Sequence, residues 1–328
     1  MKLSVAVAQA TPVVLDREAT VEKACQWMAE AGRRGARLVA FPETWIPCYP
    51  LWCDAGTFGK WEHTPAKKLH ARLARNSVEI PSAATEKLCA AARKAGVAAV
   101  IGINERNTHG GSLYNTLLFI SSAGELLGRH RKLVPTFGER LVWGYGDAAG
   151  LQAYDFDGAR VGGLVCWEHW MPLARHVLHA SGEQIHVAAW PHCHETYQLA
   201  CRHYAFEGRA FVLVAAAFMK KSDLPADFEL ADDFQQAPEV LLNGGSAIIR
   251  PDGRYLVEPV YGREELLTAD IDLERIAEEK LSLDVGGHYA RPDLFDVRVR
   301  REPLVPFRPA EKKPPQRGAR LDKRGRRK

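Results

Sequence analysis

The sequence has no apolar run approaching the 18 residues of a membrane-spanning helix, which excludes a helical membrane protein. It has no tandem repeat at a fixed period and no CxxC pair. Its seven cysteines, Cys25, Cys48, Cys53, Cys89, Cys166, Cys193 and Cys201, are odd in number and dispersed. That pattern argues against a secreted disulfide scaffold and for reduced thiols in a cytoplasmic protein. Most of the seven are expected to be small core residues, since free cysteine is among the most buried types. The stretch Met1–Gln9 lacks a clustered basic region and breaks at Gln9 and Pro12, so it reads as a first strand rather than an export signal.

What is present is bulk apolar content. At 328 residues and 46% hydrophobic, the chain can bury a large core in one big α/β domain or two smaller ones. Several apolar runs read as buried on both faces, which favours layered sheets. The net charge of +4 is unevenly placed. Arg308–Lys328 holds ten Lys/Arg against two Asp/Glu, a surplus of eight, so residues 1–307 carry four net negative charges. The expected organisation is one domain over 1–307 and a basic, solvated, disordered tail over 308–328. Such a tail can bind nucleic acid electrostatically, but no reading motif or aromatic platform accompanies it, so a nucleic-acid partner is not expected.

A β-α-β rhythm runs along the chain. Leu3–Ala10 reads as a strand, Arg17–Arg34 as an amphipathic helix and Arg37–Phe41 as a strand. Trp45–Ile80 reads as a long insertion, either a pocket wall or a lid. Ser82–Ala95 follows as a helix, Val97–Asn104 and Tyr114–Ser121 as strands, and a turn leads into Glu125–Lys132. The second half repeats the pattern with strands at Arg160–Cys166, Ile185–Trp190 and Phe211–Phe218. Helices are read at Pro172–Ser181 and Thr196–Ala210, then a hairpin around Asp252-Gly253, a strand at Leu266–Ile271 and a short helix at Leu273–Lys280. The alternation does not separate a doubly wound sheet from two packed sheets.

Three groups at strand ends can do chemistry. Glu43 follows the apolar Leu38–Pro42, where a carboxylate is costly unless paired or desolvated for a purpose. Its alternative is a salt bridge or helix cap. Lys132 ends a basic run, Arg129 to Lys132, whose members are otherwise surface charges. Cys166 ends a strand, where a following helix N-terminus would favour the thiolate; its alternative is a core cysteine. Glu139 is a further carboxylate that can instead pair with Arg140. A thiol nucleophile needs a base, and attack on a nitrile or carbonyl carbon builds charge that an ammonium can stabilise.

The stretches Phe41-Pro42-Glu43, Lys132-Leu133-Val134-Pro135-Thr136 and Cys166-Trp167-Glu168 resemble the nitrilase superfamily of carbon–nitrogen hydrolases over roughly residues 3–300. The resemblance implies an α/β fold, a four-layer α-β-β-α sandwich. It implies Glu43 as general base, Lys132 as electrostatic and proton-donating group, Cys166 as nucleophile and Glu139 as a fourth active-site carboxylate. Cys166-Trp167-Glu168-His169 followed by Met171-Pro172 is similar to the true nitrilases rather than the amidases. So are Val142–Asp147 and Asp284–Asp293, although Ala148-Ala149 and one extra glycine depart from the expected pattern. The expected reaction is hydrolysis of an organic nitrile to acid and ammonia through a thioimidate and an acyl-thioester, without cofactor. An amidase with the same triad is the alternative. The resemblance also implies a homo-oligomer built from dimers and growing into a spiral or filament.

Proximity to these motifs marks Tyr145, Trp167, His169 and Trp170 as substrate-pocket residues. The aromatics Trp45, Tyr49, Trp52, Phe58 and Trp61 fit a pocket or a subunit contact equally. His192 and His194, with His186 and His203 nearby, are geometrically able to bind zinc, but no partner has ligand-like spacing. They read as helix-entry and pocket histidines, and no metal is expected.

Overall fold

Residues alternate along the first strands so that both faces of one sheet are buried. In β1 (Lys2–Gln9), Val5 and Val7 enter one core cluster while Ala6 and Ala8 enter another. β2 (Leu38–Ala40) and β3 (Ala98–Arg106) divide in the same way, with Leu38, Ala40, Ala98 and Val100 on one side and Val39, Ala99 and Ile101 on the other. A period of two with both sides apolar is the pattern of a sheet covered on each face.

The computed structural model describes residues 1–305, so the predicted tail over 308–328 lies outside the described residues. Beyond β3 the first sheet adds β4 (Leu113–Ile120) and β5 (Leu126–Arg131). The second sheet contains β6 (Tyr154–Phe156), β7 (Ala159–Val165), β8 (Ile185–Trp190), β9 (Phe211–Ala216), β10 (Phe218–Lys220), β11 (Val240–Ile249) and β12 (Tyr255–Tyr261). β13 (Glu265–Asp272) returns to pair antiparallel with β1. The orders are β13-β1-β2-β3-β4-β5 and β10-β11-β9-β8-β7-β6, with β12 beside β11. Each sheet has a parallel centre, β1-β2-β3 in one and β7-β8-β9 in the other. Parallel neighbours need crossover connections, and helices supply most of them.

Those helices form the outer layers. α1 (Arg17–Arg33) starts at Asp16, whose side chain accepts from the Ala19 amide, and buries Val21, Ala24, Met28 and Ala31 at helical spacing. α2 (Thr64–Asn76) buries Ala66, Leu69 and Leu73 in the same cluster. α3 (Ala83–Ala95) is opened by a Ser82–Thr85 capping box and closed by Gly96 at a left-handed φ of 63°. On the far side, α4 (Pro172–Ala180) contributes Ala174, Val177 and Leu178, and α5 (Glu195–Gly208) contributes Ala200, Cys201 and Tyr204. α6 (Glu274–Lys280) follows β13. The result is a four-layer α-β-β-α sandwich with the two sheets face to face in the middle.

Two expectations are corrected here. The insertion over 45–80 is not a pocket wall throughout: Trp45, Trp52 and Phe58 are buried core, α2 covers the first sheet, and Trp61 is 86% exposed. The stretch between β10 and β11, left without a reading in the sequence, contributes Phe228, Leu230 and Phe234 to the same core.

Candidate active site

Three reactive groups stand just past the ends of three strands. Glu43 lies three residues beyond β2, Lys132 immediately follows β5 and Cys166 immediately follows β7. Because these strands sit in facing sheets, the sandwich brings their ends to one point. Close approach is needed to seat Glu43: a Cβ at Gly102 on β3 would come within 2.1 Å of the Pro42 carbonyl oxygen. The Glu43 amide in turn donates to the Trp190 carbonyl of the second sheet at 3.4 Å.

The Lys132 ammonium donates to Glu43 Oε1 at 2.9 Å and to Glu139 Oε2 at 2.7 Å. Asn115 Nδ2 also donates to Glu43 Oε1 at 2.6 Å, and Tyr49 donates to Glu139 Oε1 at 2.9 Å. Sγ of Cys166 and carboxylate oxygens of Glu43 and Glu139 all lie within 4.8 Å of one another. Such a donor set suits a cation, and the lysine side chain itself fills that role. Glu43 Oε2 makes no hydrogen bond among the described residues, so one carboxylate oxygen remains free to take a proton.

Burial sets the protonation states. It pushes the Glu43 carboxyl up to about 7, against the downward pull of Lys132 and with a further push from Glu139. A base near neutrality suits proton transfer at physiological pH. Burial also holds the Cys166 thiol well above its usual range, although Lys132 pulls it back. Burial opposes the Lys132 charge as well, but the Cys166 thiol and the two carboxylates outweigh it and keep the ammonium above its ordinary value. Cys166 therefore rests as a thiol. This corrects the sequence expectation of a thiolate favoured by a helix: Cys166–Trp170 is a single 3-10 turn.

Cys166 has φ of 51°, in the left-handed region that costs an L-residue about 1–2 kcal/mol. Strain of this kind persists only where surroundings impose it. A family model described as carbon-nitrogen hydrolase matches residues 4–280. The chain belongs to the carbon–nitrogen hydrolase family. It is 44% identical over 311 residues to a protein named nitrilase 2 from an unknown prokaryotic organism, covering 94% of this chain and 96% of that one. It is 37% identical to an aliphatic nitrilase of Sinorhizobium fredii, covering 92% and 97% respectively. Among solved structures, Saccharomyces cerevisiae Nit3, a member of the nitrilase superfamily, shares the fold with a TM-score of 0.70 at 19% identity, covering 88% of this chain and 97% of that one.

Glu168 is the brace of this hydrolase site. Its Oε1 accepts from the Leu133 amide at 2.8 Å and its Oε2 from the Val165 amide at 2.7 Å, with His130 Nε2 at 3.0 Å. Burial opposes its charge, but His130 and the two amides hold the carboxyl below its usual value. One side chain thus ties the lysine loop to the cysteine strand. Of the basic run, His130 and Lys132 are interior groups, and Arg131 pairs with Glu105. The bland reading of a solvated basic face fails for these residues because β5 lies against the second sheet.

The site opens into a cavity of about 940 Å³. Cys166, Glu139, Tyr49 and Trp167 line it with an apolar wall that includes Leu51, Val134, Phe137, Met171, Pro191 and Tyr197. Phe234, Ala237, Pro238, Leu241 and Leu242 close another side. That last group was not legible in the sequence, where it shows only as scattered apolar residues far from any motif. Of the four pocket residues expected from proximity, Trp167 lines the cavity. Tyr145 and Trp170 are exposed and outside the lining. His169 is buried behind the nucleophile, with Nδ1 2.6 Å from the Cys166 carbonyl oxygen. Within Cys166–Trp170 the 3-10 turn sends successive side chains in different directions, so Trp167 faces the cavity while His169 and Trp170 do not.

His192 and His194 lie with ring centroids 5.6 Å apart, but the four histidines form no single cluster. His192 lines the cavity, His194 caps α5, His203 is on the exposed face of α5 and His186 is fully buried on β8. Among the described residues they form no metal-ligating group.

Proposed function

We propose that the protein hydrolyses an organic nitrile to the carboxylic acid and ammonia by covalent catalysis at Cys166. The observation that carries this reading is the Cys166 thiol on the wall of a largely apolar cavity, within 4.8 Å of carboxylate oxygens of Glu43 and Glu139, with the Lys132 ammonium donating to both carboxylates. The nitrilase names of relatives at 37–44% identity select the nitrile as substrate.

The thiol attacks the nitrile carbon as its proton passes to Glu43, and Glu43 hands that proton to the nitrogen, giving a thioimidate and restoring the carboxylate. Glu43 then takes a proton from water as the hydroxyl adds to the same carbon. Lys132, fixed between two carboxylates, stabilises the charge that develops on the tetrahedral species. Ammonia leaves, an acyl-thioester remains, and a second water releases the acid and restores the thiol. Two waters are consumed per nitrile. Glu139 orients the ammonium, and Tyr49 and the Thr136 amide orient Glu139. The apolar lining suits a substrate with an apolar body and only the nitrile as its polar end.

The deciding experiment measures ammonia release from aliphatic, aromatic and arylacetic nitriles, each beside its amide, with Cys166→Ala as blank. Acid and ammonia from a nitrile, lost in the variant, support the reading. Turnover of amides alone would assign the amidase reaction, and full activity in Cys166→Ala would remove Cys166 from the mechanism.

The same proposal extends to a homo-oligomer larger than a dimer in the cytoplasm. Leu173 on α4 and Leu199 and Phe206 on α5 are exposed on the outer layer, and Leu281, Tyr289, Leu294 and Phe295 are exposed beyond α6. Exposed apolar side chains on the outer layer and beyond α6 give a basis for contacts between copies. Light scattering across a concentration series checks this, and a single dimer species throughout would count against growth beyond two copies.

A further inference from the structure

Behind Cys166, on the side away from the cavity, lies a second polar cluster that the reaction above does not use. It runs in a continuous line. His169 Nδ1 is 2.6 Å from the Cys166 carbonyl oxygen, and His169 Nε2 is 3.0 Å from His186 Nε2. His186 Nδ1 is 2.8 Å from Glu183 Oε1, and the Tyr204 hydroxyl donates to Glu183 Oε2 at 2.5 Å. His169, His186, Glu183 and Tyr204 are all buried. Their rings are fixed by stacking: His186 on Tyr204 at 3.7 Å and His169 on Trp190 at 5.0 Å between centroids. Space for the acid is reserved by a glycine, since a Cβ at Gly162 on β7 would come within 2.1 Å of Glu183 Oε1.

The protons in this line are determined by its end. A carbonyl oxygen only accepts, so His169 carries its proton on Nδ1 and, when neutral, presents a lone pair at Nε2. His186 must then donate from Nε2, and a neutral His186 presents a lone pair at Nδ1. Glu183 Oε1 faces that lone pair, so the matching donor is a protonated carboxyl group. Its other oxygen, Oε2, is left to accept from Tyr204. Every donor meets an acceptor only in this arrangement of neutral groups. An ionised Glu183 demands an imidazolium at His186 or at His169, or else two lone pairs facing each other at 3.0 Å.

We propose that Glu183 is a neutral carboxylic acid which, through His186 and His169, holds the Cys166 main chain in its left-handed conformation and so aims the thiol at Glu43 and Lys132. The three are positioning residues, because their line reaches Cys166 at its main-chain carbonyl and not at the thiol. The inference rests on Cys166 being the nucleophile.

The surroundings agree with neutral groups. Burial pushes the Glu183 carboxyl up to about 7, while His179 on α4 and the Tyr204 hydrogen bond pull it down. Burial first, and then His186, lower His169 to about 3; burial, His179 and His130 hold His186 well below its usual value against the pull of Glu168. The remaining charges near the line are engaged elsewhere. Glu207 on α5 takes Arg175 Nε at 2.6 Å and His179 Nε2 at 3.3 Å, and Arg175 also donates to the His169 carbonyl at 3.0 Å. Glu168 is held by His130 and two amides. As pH rises through about 7, loss of the Glu183 proton removes the donor to His186, and the line loses its order from the far end.

The test compares the wild-type enzyme with Glu183→Gln and Glu183→Leu. A glutamine amide donates to His186 and accepts from Tyr204 as the neutral acid does, whereas leucine does neither. Three readouts are taken: nitrile turnover against pH, the pH dependence of Cys166 alkylation by iodoacetamide, and the infrared carbonyl band of a protonated carboxyl group. Expected results are a wild-type carboxylic acid absorbance at pH 6 that loses the share of one carboxyl group in Glu183→Gln while that of Glu43 stays, and kcat within about twofold of wild type for Glu183→Gln at that pH. The decline of wild-type turnover and alkylation above about pH 7 is flattened in Glu183→Gln, and Glu183→Leu loses at least about tenfold in kcat with KM little changed. If Glu183→Leu fails to fold, the infrared band and the glutamine variant decide. Equal wild-type and Glu183→Gln spectra, or a collapse of kcat or alkylation in Glu183→Gln, overturn the proposal. A wild-type enzyme inactive on every nitrile overturns the assigned reaction instead, and the band and the alkylation profile still judge the positioning line.

Discussion

Two buried polar clusters meet at Cys166, one on each side, and they are satisfied in opposite ways. In front, Glu43, Glu139 and Lys132 place an ammonium within 2.9 Å of two carboxylates, so charge is met by charge. Behind, the line from Glu183 to the Cys166 carbonyl contains titratable groups throughout, and burial drives each of them toward its neutral form. Charge in a dry interior is tolerable when a counter-charge is adjacent. A group without a counter-charge gives up its own charge and is held by directed hydrogen bonds. The front thus keeps groups that move protons, and the back keeps groups that hold a shape.

Breaking the front has the largest expected effect. Cys166→Ala lowers nitrile turnover by at least about 10³-fold, read as ammonia release, because no other group in the site can form the thioimidate. Lys132→Met leaves two buried carboxylates without their counter-charge. We expect kcat to fall by about 10²–10³-fold and denaturant-unfolding stability to fall by about 3–5 kcal/mol. A variant that lost activity but kept full stability would show that the front does not depend on charge pairing. Between the clusters, Glu168→Gln sets an amide group against one of three donors and costs about 1–3 kcal/mol, read by the same unfolding measurement.

Acidity sharpens the comparison further. Glu43 must be ionised to accept the thiol proton, so turnover falls as pH drops through about 7. Glu183 must be neutral on our proposal, so its contribution falls as pH rises through about the same value, and a bell-shaped profile results. For stability the sign follows from the raised folded-state pKa. The stabilising contribution of protonated Glu183 is complete below its ordinary value of 4.5 and is lost as pH rises through about 7. The smallest expected effect is therefore on melting temperature. The midpoint of Glu183→Gln should change with pH less steeply than that of wild type over this window, by a few degrees in a thermal scan.

The layered architecture was legible because burial on both faces leaves an apolar run with few polar positions, as in Leu3–Ala10 and Ile185–Trp190. Glu43 and Cys166 were legible as types because they end such runs, where a polar side chain has a cost that only pairing or chemistry offsets, whereas Lys132 ends a basic run and was picked out by the resemblance. Their company was less legible. Glu168 shows in the chain only as a motif neighbour of Cys166, His130 as part of a basic run and His186 as a histidine in a strand, and only the facing sheets give Glu168 its amide donors and His186 its place beside His169. The cavity wall from Phe234 to Leu242 carries no local signal, since what makes it a wall is the loop geometry that brings it opposite Phe137 and Trp167.

By itself the sequence determined which residues are available, where most strands and helices lie, though not α2 or β6, and that a thiol, a carboxylate and an ammonium follow three strands. Those properties depend on periodicity and on the nature of the side chains, which are local. Tertiary structure alone decided that His169 supports Cys166 rather than lining the pocket, that Glu168 ties two sheets together, and which groups keep their charge. These depend on distances between segments far apart in the chain, and a pKa or a hydrogen bond is set by what stands within a few ångströms in space.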